Sequence, residues 1–195
     1  MAQIFRIWSL IAWHDSPVPT YVAFLRAINL GAKRVFPKEA IIAAVESLGF
    51  ADVRTHINTG NVHFETRMRS VPRIQELLEK AFREDRGFEV PTMVFTTKEF
   101  AELAREARAL SDARPGLARH YVYLLAEEPS AEITQAVEAS SSDRGELVVR
   151  GRAVHALLAP GYEDGVVDPL RAAKLLPVAT NRNLNVITTI AQKWC

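Results

Sequence analysis

The sequence predicts an α+β protein built from two tandem ferredoxin-like (α/β plait) domains, whose antiparallel sheets carry helices on one face. The first observation is the order of the patterns between residues 20 and 95, β-α-β-β-α-β, which is the order of that plait. The second is that most of this order recurs after residue 118. The third is the segment 111–118, which is rich in turn formers and is predicted to be a linker.

In the first domain, predicted over residues 20–110, strands alternate with amphipathic helices. Apolar or alternating runs predict strands at 20–27, 51–58, 61–66 and 88–95. Apolar residues at three-and-four spacing predict helices after Pro37 and after Ser70. A capping box at Thr96-Thr97-Lys98-Glu99 predicts a third helix, and Thr59-Gly60 is typical of a two-residue hairpin turn.

The second domain, predicted over residues 119–195, follows the same order less completely. Strands are predicted at 120–126, 145–150 and 153–158, the last two joined by a turn at Gly151-Arg152. Helices are predicted after Pro129-Ser130 and after Asp168-Pro169. A weak last strand is predicted at 177–179, and Thr180 is predicted to cap the final helix.

Composition limits the classes of function. The chain has 195 residues, of which 48% are hydrophobic and 24% charged, as in ordinary globular proteins. A formal net charge of +1 lacks the basic excess that usually accompanies nucleic-acid binding, which argues against that partner. The one cysteine, Cys195, cannot form an internal disulfide, so we expect a reducing, cytoplasmic environment.

Residues 1–19 differ from the rest of the chain and are predicted to be an N-terminal extension. Their apolar run at 4–13 is far shorter than the ~20 residues of a membrane-spanning helix, so we expect no membrane association. Arg6 interrupts this run and no small-residue cleavage site follows it, unlike a signal peptide. The alternative is a strand or helix that packs on the body of the protein.

A polar row is predicted on one face of the first hairpin. With a two-residue turn at Thr59-Gly60, Asn58 would pair with Asn61, and His56 with His63. The row then has six members on the face away from the helices: Arg54, His56, Asn58, Asn61, His63 and Glu65. We expect it on an open sheet face or against the second domain. Two histidines fall short of the three or four ligands of a typical zinc site, so no metal is expected.

Two other segments have the residue types of an anion site. The loop Arg26–Arg34 combines cations, Asn29 and Gly31 between a strand and a helix, although it lacks the spacing of a phosphate-binding loop. A tight turn with solvated basic side chains is the alternative. At Thr180–Asn185 the predicted helix start contains Arg182 and more amides than capping requires.

Motifs occur at three places in the chain: FLRAINLG at 24–31, DVRTHINTGNV at 52–62 and TNRNLN at 180–185. Together they resemble an uncharacterised bacterial family that is catalogued as domain of unknown function 1697. The resemblance runs from about Thr20 to Lys193 and implies two tandem plait-like domains without a known activity. The family usually has a tyrosine at His56 and an aliphatic residue at His63, so the histidine pair is peculiar to this chain. It also has other residues at Ala32, Thr59, Leu184 and Val186.

We therefore expect a cytosolic protein that binds a small ligand, bearing a phosphate or carboxylate, between its two domains. The predicted ligand-binding residues are cations, amides and glycines from three segments: Arg26, Asn29, Gly31, Arg54, Asn58, Gly60, Asn61, Arg182 and Asn183. Neither a nucleophile-base pair nor a carboxylate dyad is recognisable, so no catalytic residue and no cofactor are predicted. Two alternatives stay open. One is a nucleic-acid module that stacks a base on Phe24; the other is an interaction protein that uses its open sheet face.

Overall fold

The computed structural model describes residues 17–29, 31–161, 168 and 170–195. Within them the chain forms two four-stranded antiparallel sheets and five α-helices, which is the predicted α+β class. Residues 1–16, most of the predicted N-terminal extension, lie outside the described residues. None of the helices in these ranges combines the length and apolar character that crossing a membrane requires.

The first sheet is assembled from the first half of the chain. Its strands are β1 (Thr20–Leu25), β2 (Ala51–His56), β3 (Asn61–Glu65) and β4 (Thr92–Thr96), in the order β2-β3-β1-β4. A short 3-10 turn (Ala32–Arg34) and helix α1 (Lys38–Glu46) follow β1, and helix α2 (Val71–Arg86) precedes β4. Both helices pack on one face of the sheet, and the core of this layer contains the buried aromatic side chains Tyr21, Phe36, Phe64 and Phe82.

The second sheet has the same strand order. Its strands are β5 (Arg119–Leu125), β6 (Gly145–Arg150), β7 (Ala153–Leu158) and β8 (Ala179–Asn183), ordered β6-β7-β5-β8. Helix α4 (Ala131–Ala139) packs on one face through Val137. Arg150 pairs with Ala153, so the predicted turn at Gly151-Arg152 is confirmed.

Helices α3 (Thr97–Asp112) and α5 (Leu184–Trp194) form a layer between the two sheets. Thr96 caps α3, because its hydroxyl accepts a hydrogen bond from the Glu99 amide at 3.1 Å, as the capping box predicts. The core of this layer contains residues of both sheets and both helices: Val22, Phe24, Phe95, Phe100, Val122, Leu124, Ile187 and Ile190.

The prediction of helices on one face of each sheet is therefore wrong, because both faces are covered. The sequence contains the reason. Strand β1 is apolar at successive positions, and Val22 and Phe24 face α3 while Tyr21 and Ala23 face α1 and α2. A continuous apolar run of this kind is typical of a strand buried on both faces.

The first hairpin has a four-residue loop instead of the predicted two-residue turn. His56 pairs with Asn61 and Arg54 with His63, so His56 and His63 are not directly opposed. The predicted register is thus wrong by two residues. Asn58 lies in the loop itself. Because side chains alternate with a period of two, this shift keeps the strand residues of the row on their predicted face. That face lies against the second half of the chain, one of the two predicted locations.

The start of the last helix also differs from prediction. Residues 179–183 form β8, which pairs with β5, so Thr180 lies within a strand. The helix is capped by Asn183, whose Oδ1 accepts a hydrogen bond from the Val186 amide at 2.9 Å. The helix predicted after Asp168-Pro169 is reduced to a 3-10 turn at Ala172–Lys174. Ala172 of this turn and Leu176 after it are buried and pack against the second sheet.

Candidate functional site

A cleft of about 560 Å³ lies where the end of β1 meets β8, the edge strand of the second sheet. One wall consists of residues 25–29 and 57–59 of the first half. The opposite wall is formed by residues of the second half: Tyr121, Tyr123, Asp168, Ala173, Ala179, Thr180, Asn181, Arg182, Asn183 and Val186. This volume is within the range of pockets that hold small metabolites.

The loop after β1 is held by hydrogen bonds to neighbouring segments. The Arg26 amide donates to the Pro91 carbonyl at 2.8 Å. Ala27 then takes a left-handed conformation with φ of 55°. The Arg34 guanidinium donates to the carbonyls of Ala27 and Glu89. Arg34, a candidate cation in the sequence, therefore has a structural role in this loop.

Asn29 connects the two loops of the first wall. Its side-chain amide donates to the Phe36 carbonyl at 3.2 Å and to the Asn58 carbonyl at 2.8 Å. Its Oδ1 accepts from the Phe36 amide at 2.8 Å. Asn29 itself has a positive φ of 54°, a conformation in which asparagine is enriched. The side chain has used its hydrogen-bonding groups within the protein and positions Asn58.

The hairpin loop brings an exposed aliphatic residue to the same wall. Ile57 has a positive φ of 49°, and half of its surface is exposed. A β-branched residue in this region is a conformational outlier. Gly60 closes the loop with φ of 74°, and a Cβ there would lie 2.7 Å from the Cβ of Leu25. Only glycine fits at this position.

Arg182 is buried at the back of the cleft and connects the two sheets. Its Nε donates to Asn61 Oδ1 at 2.7 Å, and Nη1 donates to Thr180 Oγ1 and to the Asn181 carbonyl. Nη2 donates to the carbonyls of Leu25 and Thr59. All five N–H groups of the guanidinium are therefore bound within the protein.

Burial lowers the pKa of Arg182 to about 10, so the guanidinium still carries its charge at neutral pH. Its partners in the described residues are neutral oxygens, and its guanidinium carbon lies 5.7 Å from the centre of the Phe24 ring. Arg182 therefore holds the cleft together and offers no donor to a ligand. Asn61, its partner, also donates to the His56 carbonyl and to Thr59 Oγ1.

Arg26 is the cation that is directed to solvent in this cleft. Its side chain is exposed and has no hydrogen bond or ion pair within the part of the chain that the structure describes. The exposed amide of Asn58 lies on the same wall. Asn183 lines the opposite wall, and capping α5 occupies only its Oδ1, which leaves its amide N–H groups.

A carboxylate lies on the wall contributed by the second half. Asp168 Oδ1 accepts a hydrogen bond from the Tyr123 hydroxyl at 2.6 Å, and Oδ2 accepts from the Ala173 amide at 3.2 Å. Burial and, to a smaller extent, the hydrogen bond to Asp168 raise the pKa of Tyr123. The phenol therefore remains a donor and fixes the orientation of the carboxylate.

The nine predicted ligand-binding residues are placed in three groups. The first group lines the cleft: Arg26, Asn29, Asn58, Arg182 and Asn183. Gly60 and Asn61 lie directly behind it and shape the hairpin loop. Gly31 and Arg54 do not line the cleft, and Arg54 instead forms a bidentate ion pair with Asp52 at 2.8 and 2.7 Å.

Sequence reasoning missed Tyr123, Asp168 and Thr180, which also line the cleft. The alternation of Tyr121 and Tyr123 along β5 is a usable signal, because it places both rings on one face. Nothing near Asp168 in sequence indicates that it lines a cleft shared with residues of the first half.

The histidines of the polar row contact the last helix instead of each other. The ring centres of His56 and His63 lie 6.3 and 5.7 Å from that of Trp194. His63 Nδ1 also lies 3.1 Å from the Asp52 carbonyl oxygen. In the described ranges, no three His, Cys, Asp or Glu residues come close enough together to hold a metal ion.

Phe24, the aromatic residue considered for base stacking, is fully buried. It packs against Phe95 and Phe100, with ring-centre distances of 6.0 and 5.0 Å. A base has no access to this ring.

Comparison with known proteins gives a family and a fold. A solved structure, that of the conserved bacterial protein SP0830 from Streptococcus pneumoniae, is similar with a TM-score of 0.72 at 21% identity. The alignment covers 91% of this chain and 98% of the pneumococcal chain. No curated protein matches. The family model for Protein of unknown function (DUF1697) matches residues 18–155, which is more than half of the chain. The chain therefore belongs to this family.

Proposed function

We propose that the protein binds a small ligand carrying a phosphate or carboxylate in the cleft between its two halves, with Arg26 as the main contact. A guanidinium forms short, charge-assisted hydrogen bonds with such groups, often two at a time. The amides of Asn58 and Asn183 would donate further hydrogen bonds. Arg26 and Arg182 were both predicted to contact the ligand. Because the donors of Arg182 are all occupied within the protein, we assign the main contact to Arg26.

The observation that carries the proposal is the conformation of the first wall. Ala27, Asn29 and Ile57 all have positive φ, and all three line the cleft. For residues such as alanine and isoleucine this conformation costs about 1–3 kcal/mol and persists only where surrounding contacts enforce it, whereas asparagine adopts it more readily. Outliers of this kind cluster at binding sites, where they fix groups before the ligand arrives. The contacts of Arg34, Asn29 and Arg182 supply that enforcement.

A thermal-shift screen tests the proposal. Purified protein is mixed with inorganic phosphate, phosphorylated metabolites and carboxylic acids, and the melting temperature is recorded. A ligand at about 100 times its Kd stabilises the folded state by about 2.7 kcal/mol, whatever its chemistry. We expect at least one anionic compound to raise the melting temperature, and compounds that bind more tightly to raise it more.

Two arginine variants make the result specific. Arg26→Ala is expected to lower the affinity for the anionic ligand about tenfold or more, because a hydrogen bond to a charged group contributes about 1.5–3 kcal/mol. Arg54→Ala, which also removes an exposed guanidinium but lies outside the cleft, is expected to leave the affinity unchanged. Equal affinities of the two variants, or no binding of any anion, would contradict the proposal.

We further propose that each sheet and its helices form a ferredoxin-like domain, that the two domains divide at residues 111–118, and that the protein is bacterial and acts in the cytoplasm. The strand orders β2-β3-β1-β4 and β6-β7-β5-β8 support the fold assignment. The presence of one cysteine in the whole chain is compatible with the reducing compartment.

A further inference from the structure

Two charged side chains of opposite sign face the same cleft from opposite walls. Arg26 comes from the loop after β1, and Asp168 from the segment before β8. No ion pair joins the two within the part of the chain described by the structure, so neither neutralises the other. The third charged residue of the lining, Arg182, has committed all its donors elsewhere.

Asp168 retains the capacity to accept further hydrogen bonds. A carboxylate has about four lone-pair sites. Tyr123 occupies one at 2.6 Å, and the Ala173 amide approaches both oxygens at 3.4 and 3.2 Å. The buried Tyr123 phenol thus fixes the orientation of the Asp168 carboxylate. Since Asp168 lines the cleft, the remaining lone pairs of this carboxylate can accept hydrogen bonds from a ligand there. A positively charged donor is the group that complements it best.

We propose that the ligand of this cleft is a zwitterion, a small molecule whose anionic group binds Arg26 and whose ammonium group binds Asp168. The inference rests on the proposed function, because it uses the same cleft and the same arginine. It adds a substrate class: amino acids and related amino-phosphates or amino-carboxylates. Charge complementarity of this kind selects partners by disfavouring ligands that leave one of the two charges of the cleft unpaired.

Matched ligand sets test this on the unmodified protein. The probes are α-amino acids, the ω-amino acids from β-alanine to 6-aminohexanoate, and O-phosphoethanolamine, which vary the separation of the two charges. Each is compared, by calorimetric titration, with its N-acetyl form, which retains only the anion. Amino acids are also compared with their amides, which retain only the cation.

We expect one or more zwitterions to bind, and both single-charge forms of that compound to bind about tenfold or more weakly. The proposal is overturned if N-acetylation leaves the affinity unchanged, or if no zwitterion in the panel binds. If either result is obtained but simple anions still bind in an Arg26-dependent manner, the proposed function stands without the zwitterion. Absence of any anion binding would remove both.

The variant Asp168→Asn provides a second, independent readout. It removes the negative charge but keeps an acceptor oxygen for Tyr123. We expect it to weaken the binding of the zwitterion about tenfold and to leave the binding of its N-acetyl form unchanged. An equal loss for both forms would show that Asp168 only shapes the cleft and would overturn the proposal. Arg26→Ala should weaken both forms, which separates the roles of the two charges.

Discussion

The Nε atom of Arg182 donates a hydrogen bond of 2.7 Å to Oδ1 of Asn61, across 121 residues of sequence. It joins the edge strand of the second sheet to β3 of the first. Arg152 forms a second connection, since its Nη2 donates to the Val94 carbonyl at 2.9 Å and its Nη1 to Glu99 Oε1 at 3.0 Å. Two arginines of the second half thus fix the position of the first half, and with it the geometry of the cleft.

Replacement of Arg182 by alanine should destabilise the protein strongly. The change leaves the carbonyl of Leu25 and Oδ1 of Asn61, both in fully buried residues, without this donor, and each buried polar group left unsatisfied costs about 1–3 kcal/mol. Urea unfolding measures the loss. Arg54→Ala serves as the control, because surface substitutions usually change stability by less than ~0.5 kcal/mol. A loss below about 1 kcal/mol for Arg182→Ala would show that the connection is dispensable.

Gly60 and Gly49 have nearly the same φ, 74° and 76°, but different surroundings. An alanine Cβ at position 60 would lie 2.7 Å from Leu25 Cβ and 2.9 Å from Ile28 Cδ1, whereas nothing lies within 4 Å at position 49. Gly49→Ala should cost about 1 kcal/mol from backbone strain alone, and Gly60→Ala at least 1–3 kcal/mol more, roughly the cost of overpacking. Equal losses in urea unfolding would contradict the packing argument.

Ile57 should be replaceable with a gain in stability. Asparagine tolerates positive φ better than a β-branched residue, and Ile57 is 50% exposed, so little apolar burial is lost. Ile57→Asn should raise the free energy of unfolding by about 1 kcal/mol. Val178→Asn is the matched control, because Val178 is 49% exposed and has no positive φ. A gain shared by both variants would assign the effect to the replacement of an exposed apolar side chain by a polar one.

The buried pair His120 and His155 should make the protein sensitive to acid. Nε2 of His120 and Nδ1 of His155 lie 3.1 Å apart, and both residues are almost fully buried. Burial, together with nearby Arg114, lowers the pKa of His120 to about 4. Burial and the neighbouring His120 lower that of His155 to about 3.

Both folded-state pKa values lie below the ordinary value of about 6.5, so the unfolded chain binds more protons in this range. The stabilisation from the neutral pair is present above pH 6.5 and is lost as the pH falls toward 4, by up to ~1.4 kcal/mol per histidine and pH unit. Urea unfolding between pH 7.5 and 4.5 measures this slope. The double variant His120→Leu/His155→Leu should flatten it, and an unchanged slope would exclude the pair as its cause.

The elements of the fold were largely predictable, because apolar period and capping residues are local signals. Thr96 at the start of α3 and the turn at Gly151-Arg152 are examples. The loop of the first hairpin was not, because Thr59-Gly60 favours a two-residue turn. Ile57 instead has a left-handed backbone conformation, for which isoleucine has no intrinsic preference.

The site was predictable only in part. The motifs identified segments that meet at one cleft, since five of the nine predicted residues line it. They did not distinguish side chains that are exposed in the cleft from those that hold its wall. Arg26 and Arg182 have the same chemistry, and only the packing of two distant strands makes one exposed and the other buried.

The layer between the sheets also determines when the protein can complete its folding during synthesis. The inner face of the first sheet, with Val22 and Phe24, shares its core with Ile187 and Ile190 of α5. These residues are translated long after β4, and at ~5–20 residues per second the delay is roughly 4 to 20 s. During that interval the nascent first half has α3 but lacks α5 to cover this face. We expect the apolar surface of this face to stay uncovered on the emerging chain until residues 184–194 dock.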